Sequence, residues 1–166
     1  MDPFLTWLES TALSVWMRES LSVFAFPGIL AMHTIGMGIV AGMNGAIALR
    51  ILGVAPQVSL FDMKRFVPAI WFGFWLNAIS GVLLLIGYPT KALTNPVFYT
   101  KLLLIALGLV VFKVIRRRVF RDPTVGAGPL PASLTKLAVA SLVCWAGAIT
   151  TGRFLAYTYT RLAQGF

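Results

Sequence analysis

The chain contains 166 residues, of which 58% are hydrophobic and 11% are charged, and its mean hydropathy is +0.86. Soluble domains carry about 25% charged residues, so this composition excludes an ordinary soluble domain and indicates an integral membrane protein. The net charge of +9 is explained by basic loops on one side of a membrane. No separate basic segment is long enough to form a nucleic-acid-binding domain.

The chain begins with an amphipathic segment, PFLTWLESTALSVWMRE, at residues 3–19. Phe4 and Trp7 share an apolar face, whereas Glu9 and Arg18 are expected to stay hydrated. This pattern predicts a short helix that lies in the membrane interface, and a flexible tail is the alternative.

Four apolar segments follow, each close to or above the roughly 20 residues that a helix needs to cross a bilayer. They lie at about residues 21–52, 66–86, 97–115 and 134–159. The first is long enough to be tilted or kinked, and Pro27 is a candidate for the first turn of its helix. The sequence therefore predicts an all-α, integral membrane four-helix bundle that forms a single transmembrane domain over residues 1–166.

The basic residues predict how the bundle is oriented. Nine of the 14 Lys and Arg residues lie on the connections between the first and second spans and between the third and fourth spans. The run Arg116–Arg118 dominates this count. Since Lys and Arg concentrate in cytoplasmic loops, both connections are predicted to be cytoplasmic. Both termini are then periplasmic, in the inner membrane of a bacterium.

The first span holds the only histidine of the chain, within the stretch AMHTIGMGIVAGMNGAIALR. Imidazole is the commonest side-chain ligand of metals and the usual axial ligand of haem iron. Gly36 lies close to one helical turn after His33 and would leave room for the edge of a porphyrin. His33 is therefore the candidate metal ligand, with Gly36 as part of a cofactor site.

Other polar and aromatic residues are expected at a similar depth. Lys101 and Arg153 lie toward the outer ends of the third and fourth spans, and none of the five acidic residues lies within a span. Cations without a protein carboxylate suit the propionates of a haem. Trp145 is expected to form an apolar wall, and Asn77 lies near the middle of the second span. Together these residues predict a b-type haem with its propionates toward the periplasm.

The number of axial ligands limits the chemistry of such a haem. The chain has no second histidine, and Met37 lies on the same helix as His33, so it cannot reach the opposite face of the haem. The iron would be five-coordinate, or its sixth position would be closed by water, by Cys144 or by a group from another subunit. A five-coordinate iron binds small ligands such as oxygen, superoxide or nitric oxide, and a haem shared across a symmetry axis requires a homo-oligomer.

The same residues allow a structural interpretation. Glycines such as Gly38-x-x-x-Gly42 let membrane helices approach closely, and a histidine in a span often bonds a neighbouring helix. On this interpretation His33 bonds Asn77 or Ser80, and Arg153 holds a lipid. The protein would then be a non-catalytic membrane subunit or a small-molecule carrier without a cofactor.

A copper-binding membrane protein is the third interpretation. Met32, His33, Met37 and Met43 are soft ligands of the kind that copper prefers, although neighbouring positions on one helix point in different directions. Sequence motifs of hydrolases, zinc proteases, P-loop proteins and dithiol oxidoreductases are absent. The spans also lack the acidic residue that proton-driven transporters use, so no catalytic residue is predicted.

Four blocks carry a resemblance that covers nearly the whole chain: PGILAMHTIGMG, WFGFWLNAISGVLLL, NPVFYTKLLLIALG and WAGAITTGRFLAY. The chain resembles a family of small bacterial four-helix inner-membrane proteins of unassigned function. It is more distantly similar to the copper-resistance D group and to four-helix b-type cytochromes. This resemblance implies the fold and the membrane location and favours haem b. The expected partners are the lipid bilayer, a second copy of the chain, and a quinone or a periplasmic redox partner.

Overall fold

The computed structural model describes residues 3–121, 125–126 and 128–163, except for the side chains of residue 156 and of residues 159–163. The described residues form helices and contain no strand. The helices are α1 (Pro3–Glu9), α2 (Ala12–Glu19), α3 (Phe26–Ile51), α4 (Val67–Gly87), α5 (Pro89–Leu93), α6 (Pro96–Val119) and α7 (Ala132–Ala163). A short 3₁₀ helix, Phe61–Phe66, leads directly into α4.

The four long helices, α3, α4, α6 and α7, correspond to the four predicted spans, and each is long and apolar enough to cross a membrane. The protein is therefore a multi-pass membrane protein, and the predicted all-α four-helix bundle is confirmed. The first span begins at Phe26, later than the predicted residue 21, because Pro27 occupies the first turn of α3. The third span is longer than predicted, since α6 continues through Arg116–Arg118 to Val119.

The N-terminal segment forms two helices where one was predicted. Thr11 separates them, and its side chain accepts a hydrogen bond from the backbone of Ser14 as the N-cap of α2. Phe4 and Trp7 remain largely exposed, at 58% and 61%, as the amphipathic pattern predicts. Their apolar surface is the part of this segment that suits a membrane interface.

Helix α2 docks one face on the end of α4, while Leu13 and Trp16 of α2 stay exposed. Met17 is fully buried against Gly87. Arg18 was expected to stay hydrated, but its Nη2 donates to the carbonyl of Glu9 at 2.8 Å and its Nη1 to the carbonyl of Gly87 at 3.3 Å. The guanidinium group thereby satisfies a carbonyl at the C-terminus of α4, which has no partner within its own helix.

The spanning helices pack as two hairpins side by side. Helix α4 packs along α3, α6 packs along α7, and α3 joins the two hairpins by packing against α7. In the described residues α4 and α6 have no comparable contact, so the fourth side of the bundle is open. We call this side the α4–α6 opening.

The main hydrophobic core lies at one end of the bundle, where α3 and α6 end and α4 and α7 begin. We call this the basic end, because it also carries Arg116–Arg118. The buried apolar residues of this core include Ile47, Ile51, Met63, Ile70, Phe112, Ile115, Val119 and Leu134. All four spanning helices contribute to it, so a common core joins them at the basic end.

Arg50 organises the loop that follows α3. It is only 9% exposed, and its guanidinium group donates to the carbonyls of Pro56, at 2.8 Å, and Val58. The same loop holds Ala55 at φ 53°, a left-handed conformation that residues other than glycine rarely adopt. A single arginine at the end of α3 therefore fixes a strained turn.

Candidate functional site

Both ring nitrogens of His33 contact other polar groups. Nδ1 lies 3.1 Å from the carbonyl oxygen of Asn77 and 3.2 Å from Oγ of Ser80. A carbonyl can only accept a hydrogen bond, so we assign the proton to Nδ1. Nε2 is then the acceptor, and it lies 3.1 Å from Nζ of Lys101. With this assignment the imidazole is neutral.

Asn77 and Ser80 complete the contact between α3 and α4. The side-chain amide of Asn77 donates to the carbonyl oxygen of His33 at 2.8 Å. Ser80 donates its hydroxyl proton to the carbonyl of Leu76 at 2.6 Å, so its oxygen is free to accept from His33. His33 therefore contacts the two residues, Asn77 and Ser80, that were predicted as its partners if its role is structural.

Two glycines make room for the contact between His33 and Lys101. A Cβ atom at Gly81 of α4 would lie 3.1 Å from Cε1 of His33, and one at Gly152 of α7 would lie 3.6 Å from Nζ of Lys101. The lysine side chain therefore passes over α7 on its way from α6 to α3. All four spanning helices thus contribute a residue to this small cluster, as they do to the core at the basic end.

Neither Gly81 nor Gly152 is among the site residues predicted from the sequence. The sequence does indicate the depth of both glycines in the membrane. Gly81 lies next to Ser80 in the second span, and Gly152 lies in the outer part of the fourth span. The sequence does not reveal which way each faces.

The charge of Lys101 has no counter-charge in the bundle. The four spanning helices contain no Asp or Glu, and the residue that approaches the ammonium group is the neutral His33. Lys101 lies about 7–8 Å from the start of α6 along the helix axis and is only partly exposed. A cation at this depth without an anion is unfavourable, which makes the cluster the best candidate for a binding site.

Gly36 has a different role from the one that the sequence predicts. A Cβ atom at this position would lie 2.7 Å from the backbone nitrogen of Asn77 and 2.8 Å from the carbonyl oxygen of Gly73. The space beside Gly36 is thus filled by the backbone of α4, and no room is left for the edge of a porphyrin. At Gly38 and Gly42, by contrast, an added Cβ would meet no atom of the described residues within 4 Å, so these two glycines do not bring α3 and α4 together.

This arrangement does not fit a haem at His33. Each ring nitrogen already lies within hydrogen-bond distance of a protein group, and the space beside Gly36 is occupied by α4. An axial ligand needs one free nitrogen and an open face for the iron. Haem b therefore stays a prediction from the sequence that the geometry of these residues does not support.

Two of the predicted cofactor residues lie outside the cluster. Arg153 is exposed, and its side chain makes no hydrogen bond within the described residues. Trp145 is 3% exposed and packs against Gly108 of α6, and its Nε1 has no hydrogen-bond partner in the described part of the chain. It lies about two helical turns from Gly152, deeper in the bundle. The structure brings together only His33, Asn77 and Lys101, with Gly36 beside Asn77.

The residues proposed for copper do not converge. Met32 is exposed, whereas Met43 packs against the core of the basic end, about 15 Å along α3 from His33. Within the part of the chain that the structure describes, no group of three or more His, Cys, Asp or Glu side chains could hold a metal ion.

Comparisons with protein-family models, with curated proteins and with solved structures gave no match. The resemblance found in the sequence therefore stays a prediction.

Proposed function

We propose that the protein is a membrane-embedded binding protein for an apolar molecule with an anionic head group, and that Lys101 and His33 hold this head group. The proposal follows the carrier interpretation of the sequence. The observation that supports it is the ammonium group of Lys101, which lies 3.1 Å from a neutral imidazole in a bundle without acidic residues in its spans.

The hydrogen-bonding capacity of Lys101 is only partly used. An ammonium group has three donors, and one of them faces Nε2 of His33. A carboxylate would accept from the remaining donors in charge-assisted bonds, which are about twice as strong as neutral ones. It would also supply the missing negative charge, because a buried cation costs much less when an anion accompanies it.

The surroundings of the site favour an apolar ligand body. At the depth of the cluster, α4 exposes Ile79 and Val82, and α6 exposes Leu102. His33 and Lys101 are themselves half-buried and therefore reachable. A ligand with one anionic group and a hydrocarbon body would satisfy both the charge and the apolar surroundings.

The proposal also includes an orientation. The basic end carries Arg116–Arg118, and loops rich in Lys and Arg face the cytoplasm. We therefore place the basic end at the cytoplasmic side of a bacterial inner membrane. The His33–Lys101 cluster then lies in the periplasmic half of the bilayer, and the chain ends face the periplasm.

The test uses the full-length protein in phosphatidylcholine nanodiscs, with decanoate as the probe and decanol as an uncharged control of equal chain length. Decanoate is expected to raise the midpoint of thermal unfolding by several degrees, and decanol is not, because only the carboxylate pairs with Lys101. Lys101→Met is expected to weaken decanoate binding by roughly tenfold or more. Intrinsic tryptophan fluorescence follows both unfolding and binding.

Lys113→Met is the matched control, since Lys113 lies on the same helix and is exposed. This variant should bind decanoate as the unaltered protein does. Equal stabilisation by decanol, or full binding by a helical Lys101→Met variant, would overturn the proposal. A Soret absorption band that is lost in His33→Ala would overturn it too, in favour of haem.

A further inference from the structure

A second group of cations lies far from His33, at the basic end of the α4–α6 opening. An open pocket of about 380 Å³ separates the start of α4 from the end of α6. Its lining consists of Lys64, Val67, Arg116, Arg117, Phe120 and Arg121. Four of these six side chains are basic and none is acidic, so the pocket concentrates positive charge.

The arginines of this pocket differ from other arginines at the same end of the bundle. Arg65 donates to the carbonyl of Asp62 at 3.0 Å, and Arg118 donates to the hydroxyl of Ser133 at 3.3 Å. Within the described residues, the guanidinium groups of Arg116, Arg117 and Arg121 make no hydrogen bond or ion pair. Their donors are therefore available to a ligand.

The pocket has apolar as well as charged walls. Val67 and Phe120 contribute to the lining, and Nζ of Lys64 lies 3.8 Å from the ring centroid of Phe61. Above the pocket, toward the middle of the bundle, α4 and α6 do not pack on each other within the described residues, and both expose large apolar side chains. A molecule bound here would have its charge at the basic end and its hydrocarbon part along these helices.

We propose that this pocket binds the phosphate group of an anionic phospholipid, such as phosphatidylglycerol, from the adjacent leaflet. Guanidinium groups match phosphate oxygens with paired hydrogen bonds. Basic pockets between membrane-spanning helices bind anionic lipid head groups. Four cations favour a lipid with a net negative charge over a zwitterionic one. The pocket shares no residue with the His33–Lys101 cluster, so either proposal can fail alone.

The experiment measures lipid retention by native mass spectrometry on the full-length protein, after exchange into a mixture of phosphatidylglycerol and phosphatidylcholine. The unaltered protein is expected to retain phosphatidylglycerol preferentially. The double variant Arg116→Gln/Arg117→Gln should lower this retention by roughly tenfold or more, since each basic residue near a membrane surface contributes about fivefold. Lys64→Gln, at the opposite wall, should lower it by about fivefold.

The matched control is Arg65→Gln/Arg118→Gln, which removes the same charge from the same end of the bundle but leaves the pocket intact. It should retain phosphatidylglycerol within about twofold of the unaltered protein. Equal losses in the two double variants would mean a diffuse charge effect and would overturn the proposal. So would stabilisation of the protein by millimolar inorganic phosphate alone, which would indicate a site for a small ion.

Discussion

Replacing Gly36 with leucine is expected to force α3 and α4 apart and to destabilise the protein by about 3 kcal/mol or more. The atoms that a Cβ at this position would meet are the backbone nitrogen of Asn77 and the carbonyl oxygen of Gly73, at 2.7 and 2.8 Å. Backbone atoms cannot rotate away as the tip of a side chain can. The cost therefore falls on the separation of the two helices and on the hydrogen bonds between His33 and α4.

Gly38→Leu is the matched control for this prediction. It makes the same change two residues along the same helix, at a position where an added Cβ would meet no described atom within 4 Å. The midpoint of thermal unfolding in detergent should fall sharply for Gly36→Leu and change little for Gly38→Leu. If both variants lose similar stability, the close approach of α3 and α4 at Gly36 is not what holds the first hairpin together.

Replacing Arg50 with methionine is expected to destabilise the loop between α3 and α4 by about 2 kcal/mol. The substitution removes the donors to the carbonyls of Pro56 and Val58 and a cation that interacts favourably with the C-terminus of α3. It also releases Ala55 from a left-handed conformation, φ 53°, that persists only when its surroundings enforce it. Faster proteolysis of residues 52–60 and a lower unfolding midpoint should result.

Arg65→Met serves as the comparison for the Arg50 variant. Arg65 is exposed and donates to a single nearby carbonyl, so its loss should change stability by no more than about 0.5 kcal/mol. A loop that resists protease equally in both variants would show that Arg50 is not what fixes the turn.

Much of the fold follows from simple properties of the chain. The four apolar runs define four spans, and Pro27 marks the start of α3 because a proline in the first turn loses no helical hydrogen bond. Which helices are neighbours in the bundle cannot be predicted from these properties. All four spans are apolar on most sides, so the sequence does not show that α3 contacts α7 while the described parts of α4 and α6 stay apart.

For the site residues too, the sequence predicts the depth of a side chain in the membrane better than the direction in which it points. The sequence places His33 and Asn77 near the middle of their spans and Lys101 toward the outer end of its span, and the pairing of His33 with Asn77 or Ser80 is one of the alternatives that the sequence leaves open. The position of the Lys101 side chain is harder to predict, because a lysine near a helix end can equally extend toward the membrane surface. In the structure the Lys101 side chain points into the bundle, because Gly152 has no side chain to block it and Nε2 of His33 accepts its hydrogen bond.

Arg153 shows why the direction of a side chain is difficult to predict from the sequence. It was expected to join Lys101 in holding an anionic group, and Gly152, the residue before it, does face Lys101. Successive residues on a helix are rotated by about 100°. When Gly152 faces the neighbouring helix, Arg153 is turned toward the outside, and it is exposed in the structure.

The two-hairpin arrangement bears on how the chain enters the bilayer. The hydrogen bonds between α3 and α4 run through His33, Asn77 and Ser80, and only Nε2 of His33 takes its partner from the other hairpin. This half can therefore be inserted before α6 and α7 are synthesised, with a single acceptor left for Lys101. Among the described residues, Lys101 makes the only hydrogen bond that joins one hairpin's spanning helices to the other's. The two hairpins can thus be inserted one after the other during synthesis. A break in the chain between them would leave the hydrogen bonds within each hairpin intact.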